Sequence, residues 1–435
     1  MNKPKLLIVS TFDELCGIAG YTRALLTQID DIFECEVFDL DQYFMRSADP
    51  KLVKIADAQI DELCNRLNQF DAVNIQLEHG TLGQQPRDIA RRFEKIAHAA
   101  PRLSVTFHTV LQGQFREQLA SVLGRGWRGA SGILPLLASA RRDYYLNYRI
   151  LKAIRNKQQA NASAVITHTK RDARNIHYIN GIKNVFHHPL VFHRSSEIER
   201  IKSRNYNDDF PMLRGLPHGA KIIGLFGFLS PYKGFEVALK ALRHLPDDWH
   251  IALFGGLHPN EIRKGVKLNA YIETLLKEIR GGETFLDNIA GDNIKIDLSL
   301  EKLDNLFTNP QDMAGRVHFV GSLSDQQFAN ATMMCDCAVF PYEEVGQSAS
   351  GPISIAIEMG VRIIASRTRA FLQLERYFPG RIEFFEIGNH IELAQRILSE
   401  PEQNLKIEQA QWTAITNADT YAKANGIGDM NVILK

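Results

Sequence analysis

One pattern recurs along the sequence: a short run apolar on both faces, a turn, then a stretch with helical spacing. "KLLIVST" leads into "AGYTRALLTQI", and "AVNIQLEH", "LSVTFHTV", "SAVITHT" and "NVFHHPL" follow, separated by helical stretches. Runs apolar on both faces belong in a parallel sheet covered by helices, because a sheet with one wet face would alternate. The pattern restarts at "AKIIGLFGFL" and continues through "GFEVALKALRHL", "HIALFGG", "RVHFVGSL", "DQQFANATMM", "DCAVFPY", "GPISIAIEMG" and "VRIIAS". Between the two series lies the polar, turn-rich segment "RSSEIERIKSRNYNDDFPMLRGLPHGA", 194–220, where we place the junction. The expected fold is α/β with two Rossmann-like, doubly wound parallel-sheet lobes, 1–205 and 206–410. Ligands of such sheets bind beyond the carboxyl ends of the strands, so the expected site is a central cleft where loops of both lobes converge. Two stretches exceed a minimal strand-helix repeat, 112–160 and 266–312, and both are helical in composition.

The chain has 435 residues, too many for one ordinary core and enough for two. Its 45% hydrophobic and 23% charged residues argue against a largely disordered or membrane-spanning chain. Basic residues number 51 against 50 acidic, net +1, so no global field draws it to nucleic acid. Cys16, Cys35, Cys64, Cys335 and Cys337 are scattered, without histidine at zinc-ligand spacing, which fits a reducing compartment and leaves no metal site to expect. "MNKPKLLIVSTF" is too short an apolar run for a signal peptide, and no run approaches the roughly 18 apolar residues of a spanning helix, so we expect a cytoplasmic location.

Several strand-to-helix turns carry residues that could do chemistry. In "PYEEVGQSASGPISIAIEMG", 341–360, Pro352 suits the first helical position and Ser350 or Gly351 the cap. The helix start would leave the N–H groups of Gly351, Ile353 and Ser354 without intrahelical partners at the positive end of the macrodipole, beside the Ser348 and Ser350 hydroxyls, which is an anion site. An ordinary capped helix packing Ile353, Ala356 and Ile357 is the alternative. "GLFGFLSPYKGFEVALKAL" presents Lys233 at a second such turn, where it can reach phosphate as a point charge or stay solvated. "STFDELCGIAGYTRALL" places Gly17 and Gly20 at the first turn, where backbone can approach a ligand; the spacing is not that of a dinucleotide fingerprint. Glu78 and His79 in "QLEHG" and His108 in "VTFHTV" end two strands of the first lobe, as cleft groups or as packed and capping ones.

In order and spacing, "CGIAGYT", "NIQLEHGTLG", "VTFHTV", "VITHT", "GFLSPYKG", "FGGLHPNE", "VHFVGSLSDQQF" and "FPYEEVGQSASGPISIAIEMG" resemble the GT-B nucleotide-sugar glycosyltransferases of the retaining family-four type, over most of the chain. The resemblance implies a GT-B fold whose second lobe binds the nucleotide diphosphate and whose first holds the acceptor. It implies that Lys233, Ser348, Ser350, Gly351 and Ile353 contact the diphosphate, that Gly17 closes over it, and that His108 lies beside the transferred sugar. It places Tyr21, Glu78 and His79 toward the acceptor and the C-terminal helix, about 411–435, back on the first lobe. No metal or other cofactor is implied, since lysine and helix-terminus amides stabilise the leaving group.

The sequence departs from that family where relatives often carry two glutamates: Gln347 and Ile355 stand there. Gln347, or alternatively Glu344, would contact the sugar, while Ile355 cannot hold a ribose diol and Glu358, one turn along, would replace it. An arginine often found shortly before the lysine is replaced by Phe228. "QSASG" with "HTV" and "HGTLG" looks most like a mannosyl-type subgroup of surface polysaccharide assembly. The basic, tyrosine-rich 125–157 segment suggests either peripheral contact with an anionic membrane or packing on the first lobe. The expected function is therefore transfer of a hexose from a UDP- or GDP-type sugar to a glycan or lipid-linked glycan. A catalytically silent glycan-binding or partner subunit is the alternative, and a nucleotide-sugar epimerase on the same scaffold a third reading.

Overall fold

The computed structural model describes residues 3–14, 16–111, 130–160, 162–204, 209–257, 270–280, 313–401 and 411–427. The chain divides into two compact units. One comprises Met1–Arg194, Gly346–Gly351 and Ala410–Lys435; the other comprises Ser195–Val345 and Pro352–Gln409.

The first unit holds a six-stranded sheet of β1 (Lys5–Ser10), β2 (Glu34–Asp39), β3 (Ala72–Leu77), β4 (Leu103–Phe107), β5 (Ser163–Thr167) and β6 (Val185–His187), in the order β2-β1-β3-β4-β5-β6. All its pairings are parallel. Successive side chains of β1 point to opposite faces, and both faces are dry: Leu7 and Val9 enter one core, Leu6 and Ile8 the other. The helix Gly17–Ile29 covers the second face with Tyr21 and Leu25, and the C-terminal helix Ala414–Ala424 adds Ala418 and Tyr421 there. The sheet order reverses between β1 and β3, which puts a crevice at their carboxyl ends.

The second unit repeats the design with β7 (Lys221–Phe226), β8 (Trp249–Phe254), β9 (Val317–Phe319), β10 (Cys337–Phe340), β11 (Ile363–Ser366) and β12 (Glu383–Phe385), in the order β12-β11-β10-β7-β8-β9, again all parallel. Ile223 and Leu225 face one core, Ile222 and Phe226 the other. Here the order reverses between β7 and β10, so the loops leaving those two strands meet at the switch point.

Every apolar run read as a strand lies on one. The apolar-run criterion passed over β2 and β12, both edge strands with partly exposed residues, because an edge strand need not be apolar on both faces. The helix Ala130–Gln158 occupies much of the stretch expected to be helical after His108. It buries Leu146, Ile150, Leu151 and Ile154 in the first unit's core, pairs Arg149 with Glu94, and exposes Tyr144 and Tyr148. Residues 112–129, including the start of the basic 125–157 segment, lie outside the described residues, as do 281–312 of the second helical excursion. Among the described residues no helix is long and apolar enough to cross a membrane.

Candidate functional site

Lys233 is a buried charged group of the second unit. Two turns hold it: Pro231–Lys233 is a single 3-10 turn, and Gly234 follows with φ +62°, the left-handed conformation that glycine tolerates best. A side chain at Gly234 would strike the Pro341 carbonyl, its Cβ 2.0 Å from that oxygen, so the chain after β7 lies directly on the chain after β10. The Glu343 N–H donating to the Tyr232 carbonyl at 2.8 Å ties the same two loops. Lys233 is 4% exposed, and its Nζ donates to the Tyr342 hydroxyl while lying 3.9 Å from the Tyr342 ring centroid and 5.0 Å from that of Tyr232. Among the described residues no carboxylate pairs with it, and burial alone pushes its pKa down to about 7. A buried ammonium held by a phenol and two ring faces is complementary to an incoming anion.

The loop after β10 is fixed as firmly. The Ser366 hydroxyl donates to the Tyr342 carbonyl at 2.6 Å, and the Glu344 carboxylate accepts the Arg369 N–H at 2.7 Å, at the start of the helix Arg369–Glu375. Glu344 is exposed and Gln347 half-buried. The next helix runs Gly351–Met359, with Pro352 second rather than first, and packs Ile353, Ala356 and Ile357 into the second unit's core. The helix start expected here is therefore formed, with Gly351, Pro352 and Ile353 opening its first turn. Ser348 and Ser350 are buried; Ile355 is buried as well, and Glu358 is half-buried on the same helix.

In the first unit the strand-end residues gather at the carboxyl ends of β3, β4 and β5. Thr109 donates to Glu78 Oε2 at 2.7 Å, and burial raises the Glu78 pKa. His79 is buried, its pKa pushed down to about 4 by desolvation, and neither ring nitrogen has a hydrogen-bond partner among the described residues. His108 Nε2–H donates to Gln76 Oε1 at 2.8 Å, and its ring centroid lies 5.0 Å from that of His168 and 5.4 Å from that of Tyr21. Burial, then the neighbouring His168, holds the His108 pKa well below the usual imidazole range, so the ring is neutral. His168 donates from Nδ1 to the His188 carbonyl at 3.1 Å, leaving its buried Nε2 without a partner among the described residues. The Val110 N–H donates to Ser348 Oγ at 3.2 Å, within the same unit.

Tyr21 and Gly17 lie in the first unit as well. Tyr21 is 1% exposed, its hydroxyl is engaged by Tyr421 at 3.4 Å and Asn417 at 3.3 Å, and its ring meets that of His108 in a T-shaped contact. Gly17 opens the helix Gly17–Ile29 with nothing within 4 Å of a Cβ built on it, so no packing inside the protein demands glycine there. Gly227, at φ +111°, does carry such a demand: a Cβ would sit 3.2 Å and 3.3 Å from Lys233 Cε and Nζ. Sequence reasoning passed over Gly227, Tyr342, Gln76 and His168. The signal was there for His168, since "VITHT" ends a strand in histidine as "VTFHTV" does. Among the described residues no cluster of His, Cys, Asp or Glu could hold a metal ion.

No protein-family model matches the chain, and no curated protein matches its sequence. Solved structures do resemble it. Anabaena Alr3699/HepE in complex with UDP and glucose is similar with a TM-score of 0.52 and 15% identity, over 99% of this chain and 97% of that one. Sucrose-phosphate synthase from Thermosynechococcus elongatus is similar with a TM-score of 0.57 and 14% identity, over 97% and 95%. A putative UDP-N-acetylglucosamine 2-epimerase from Listeria monocytogenes is similar with a TM-score of 0.53 and 14% identity, over 97% and 95%. At such identities the likeness concerns architecture, and with the two six-stranded parallel sheets it establishes that the fold of this chain is GT-B.

Proposed function

We propose that the protein is a glycosyltransferase that moves a hexose from a nucleotide diphosphate sugar to a hydroxyl of a glycan or lipid-linked glycan. The observation that carries this reading is Lys233: a buried ammonium at a sheet switch point, with no carboxylate partner among the described residues, suits a diphosphate. Structures of like fold include one crystallised with UDP and glucose and one named as a sucrose-phosphate synthase, which supports a nucleotide-sugar donor.

In this reading the bond between the anomeric carbon and the diphosphate oxygen breaks, the acceptor oxygen takes its place, and the acceptor proton passes to the departing phosphate. The stereochemistry is retained. Lys233 and the N–H groups of Gly351 and Ile353 take the negative charge that develops on the leaving group, without a metal ion, and the Ser348 and Ser350 hydroxyls and the Gly17 backbone complete the cradle. His108 offers its Nδ1 lone pair to a sugar hydroxyl, while Gln347 orients the sugar and Glu358 takes the ribose. Glu78 and His79 meet the acceptor, the two bare nitrogens of His79 serving as one donor and one acceptor. Tyr21 acts behind them as a ring wall. Mannose as the sugar, a role in surface polysaccharide assembly, and cytoplasmic work at a membrane face through the basic 125–157 segment are the narrower parts of the proposal.

The test is a thermal-shift screen against UDP, GDP and their sugars with and without EDTA, followed by product analysis with glycan acceptors. A stabilising nucleotide and a transferred sugar, both insensitive to EDTA, are expected. Stabilisation with isomerised nucleotide sugar and no transfer would instead support an epimerase, a reading that the likeness to the Listeria protein favours. No stabilisation by any nucleotide would support a silent subunit, the reading favoured by Gln347 and the buried Ile355 standing where the resembled family often carries two glutamates.

A further inference from the structure

The first unit contains a buried polar chain that ends on His108. Asn425 Oδ1 accepts from the Ser104 hydroxyl at 2.8 Å, which leaves Ser104 Oγ to accept from Asn74 Nδ2 at 2.7 Å. Asn74 therefore turns its Oδ1 to Gln76 Nε2, at 2.6 Å. The second hydrogen of that Nε2 goes to the Tyr421 hydroxyl at 3.1 Å, so Gln76 must present Oε1 to His108. Tyr421 is itself held by Thr106 Oγ1 at 2.9 Å and by the Tyr21 hydroxyl at 3.4 Å. Asn74, Gln76, Ser104, Thr106 and Tyr421 are all 0% exposed, so no water competes for these bonds.

We infer that Tyr421, on the C-terminal helix, is a positioning residue that fixes, through Gln76, the tautomer and ring orientation of His108. An oxygen facing His108 Nε2 demands a proton on that nitrogen and leaves the lone pair on Nδ1, as a group that accepts from a ligand hydroxyl requires. Apolar surroundings would set neither tautomer nor rotation. Tyr421 and Asn425, the two groups that enter this chain from the C-terminal helix, lie on or just beyond that one helix, so its docking completes the bonds that turn Gln76 toward His108. The consequence for turnover rests on the proposed role of His108; the tautomer does not.

The experiment is long-range nitrogen-15 NMR of the full chain labelled on histidine, with His108 assigned by its loss in His108→Asn, applied to wild type, Tyr421→Phe and Gln76→Leu after unfolding curves establish that each folds. Wild type should show Nε2 protonated and Nδ1 bare. Tyr421→Phe should broaden or mix that pattern, and Gln76→Leu should abolish the preference. In a sugar-transfer assay Tyr421→Phe should lose roughly tenfold in kcat with donor KM within about twofold. An unchanged His108 spectrum in Tyr421→Phe and in whichever further variant folds overturns the inference, even where sugar transfer is observed. Altered spectra with no transfer by wild type would leave the inference standing and overturn the proposed function instead.

Discussion

Lys233 Nζ donates to the hydroxyl of Tyr342 and lies 3.9 Å from the centre of the same ring, 109 residues away along the chain. The contact joins the loops that leave β7 and β10, the two strands between which the sheet order reverses. It stabilises the charge only partly, because a phenol is a dipole, and burial pushes the amine pKa from 10.5 to about 7.

Replacing this lysine should separate binding from stability. Between pH 7 and 10.5 the folded state holds fewer protons at this position than the unfolded chain, so the lowered pKa is a cost that shrinks as pH rises. Lys233→Met should weaken UDP or GDP binding by roughly 10- to 100-fold, the worth of one charge-assisted hydrogen bond. The unliganded variant should unfold at the same temperature as wild type or higher at pH 6.5. Calorimetric titration and thermal unfolding measure the two effects; undiminished nucleotide affinity would remove Lys233 from the site.

Diphosphate binding should also depend on pH with a definite sign. A bound anion favours the ammonium, so binding above pH 7 takes up a proton. Apparent Kd should rise by up to about tenfold per pH unit from pH 7 toward 9 and flatten below 7. Titrations in two buffers of different ionisation enthalpy would detect the proton, and a Kd flat across that range would contradict the assignment.

Two glycines should respond in opposite ways. Gly227→Ala forces a left-handed residue with a side chain against Lys233 and should cost about 1–3 kcal/mol of stability along with nucleotide affinity. Gly17→Ala has no neighbour within 4 Å and sits in a helix, so stability should hold or rise by up to about 1 kcal/mol. Loss of turnover in Gly17→Ala with unimpaired denaturant midpoint would point to a ligand contact; a destabilised Gly17→Ala would point to packing.

Acid should unfold the protein through its buried histidines. Burial lowers the pKa values of His79 and His168 to about 4 and of His188 to about 3, against 6.5 unfolded. Their stabilisation is complete above pH 6.5 and is lost as pH falls toward 4, because the unfolded chain then binds protons that the folded chain refuses. Three such groups give a slope of up to about 4 kcal/mol per pH unit. Denaturant unfolding between pH 7 and 5 measures it, and a slope near zero would mean that these rings are charged in the folded state.

Strand periodicity made the two-sheet architecture readable, since dryness on both faces leaves a local signature that survives without knowledge of any partner. The same criterion missed β2 and β12, whose residues are partly exposed at the sheet edges. Strand-end chemistry was readable too: Lys233, Glu78, His79 and His108 all leave strands at carboxyl ends, as the turn positions in the sequence require.

The sequence by itself determined that the doubly apolar runs are strands, which residues end them, and where the chain begins its second series, because these depend on neighbours a few positions apart. Only the tertiary structure decided what those strand-end groups meet. Tyr342 reaches Lys233 across 109 residues and Tyr421 reaches Gln76 across 345, and no local pattern marks either partner. A buried polar group is defined by whatever fills its last hydrogen bond, and in this chain that group comes from a distant part of the sequence brought near only by folding.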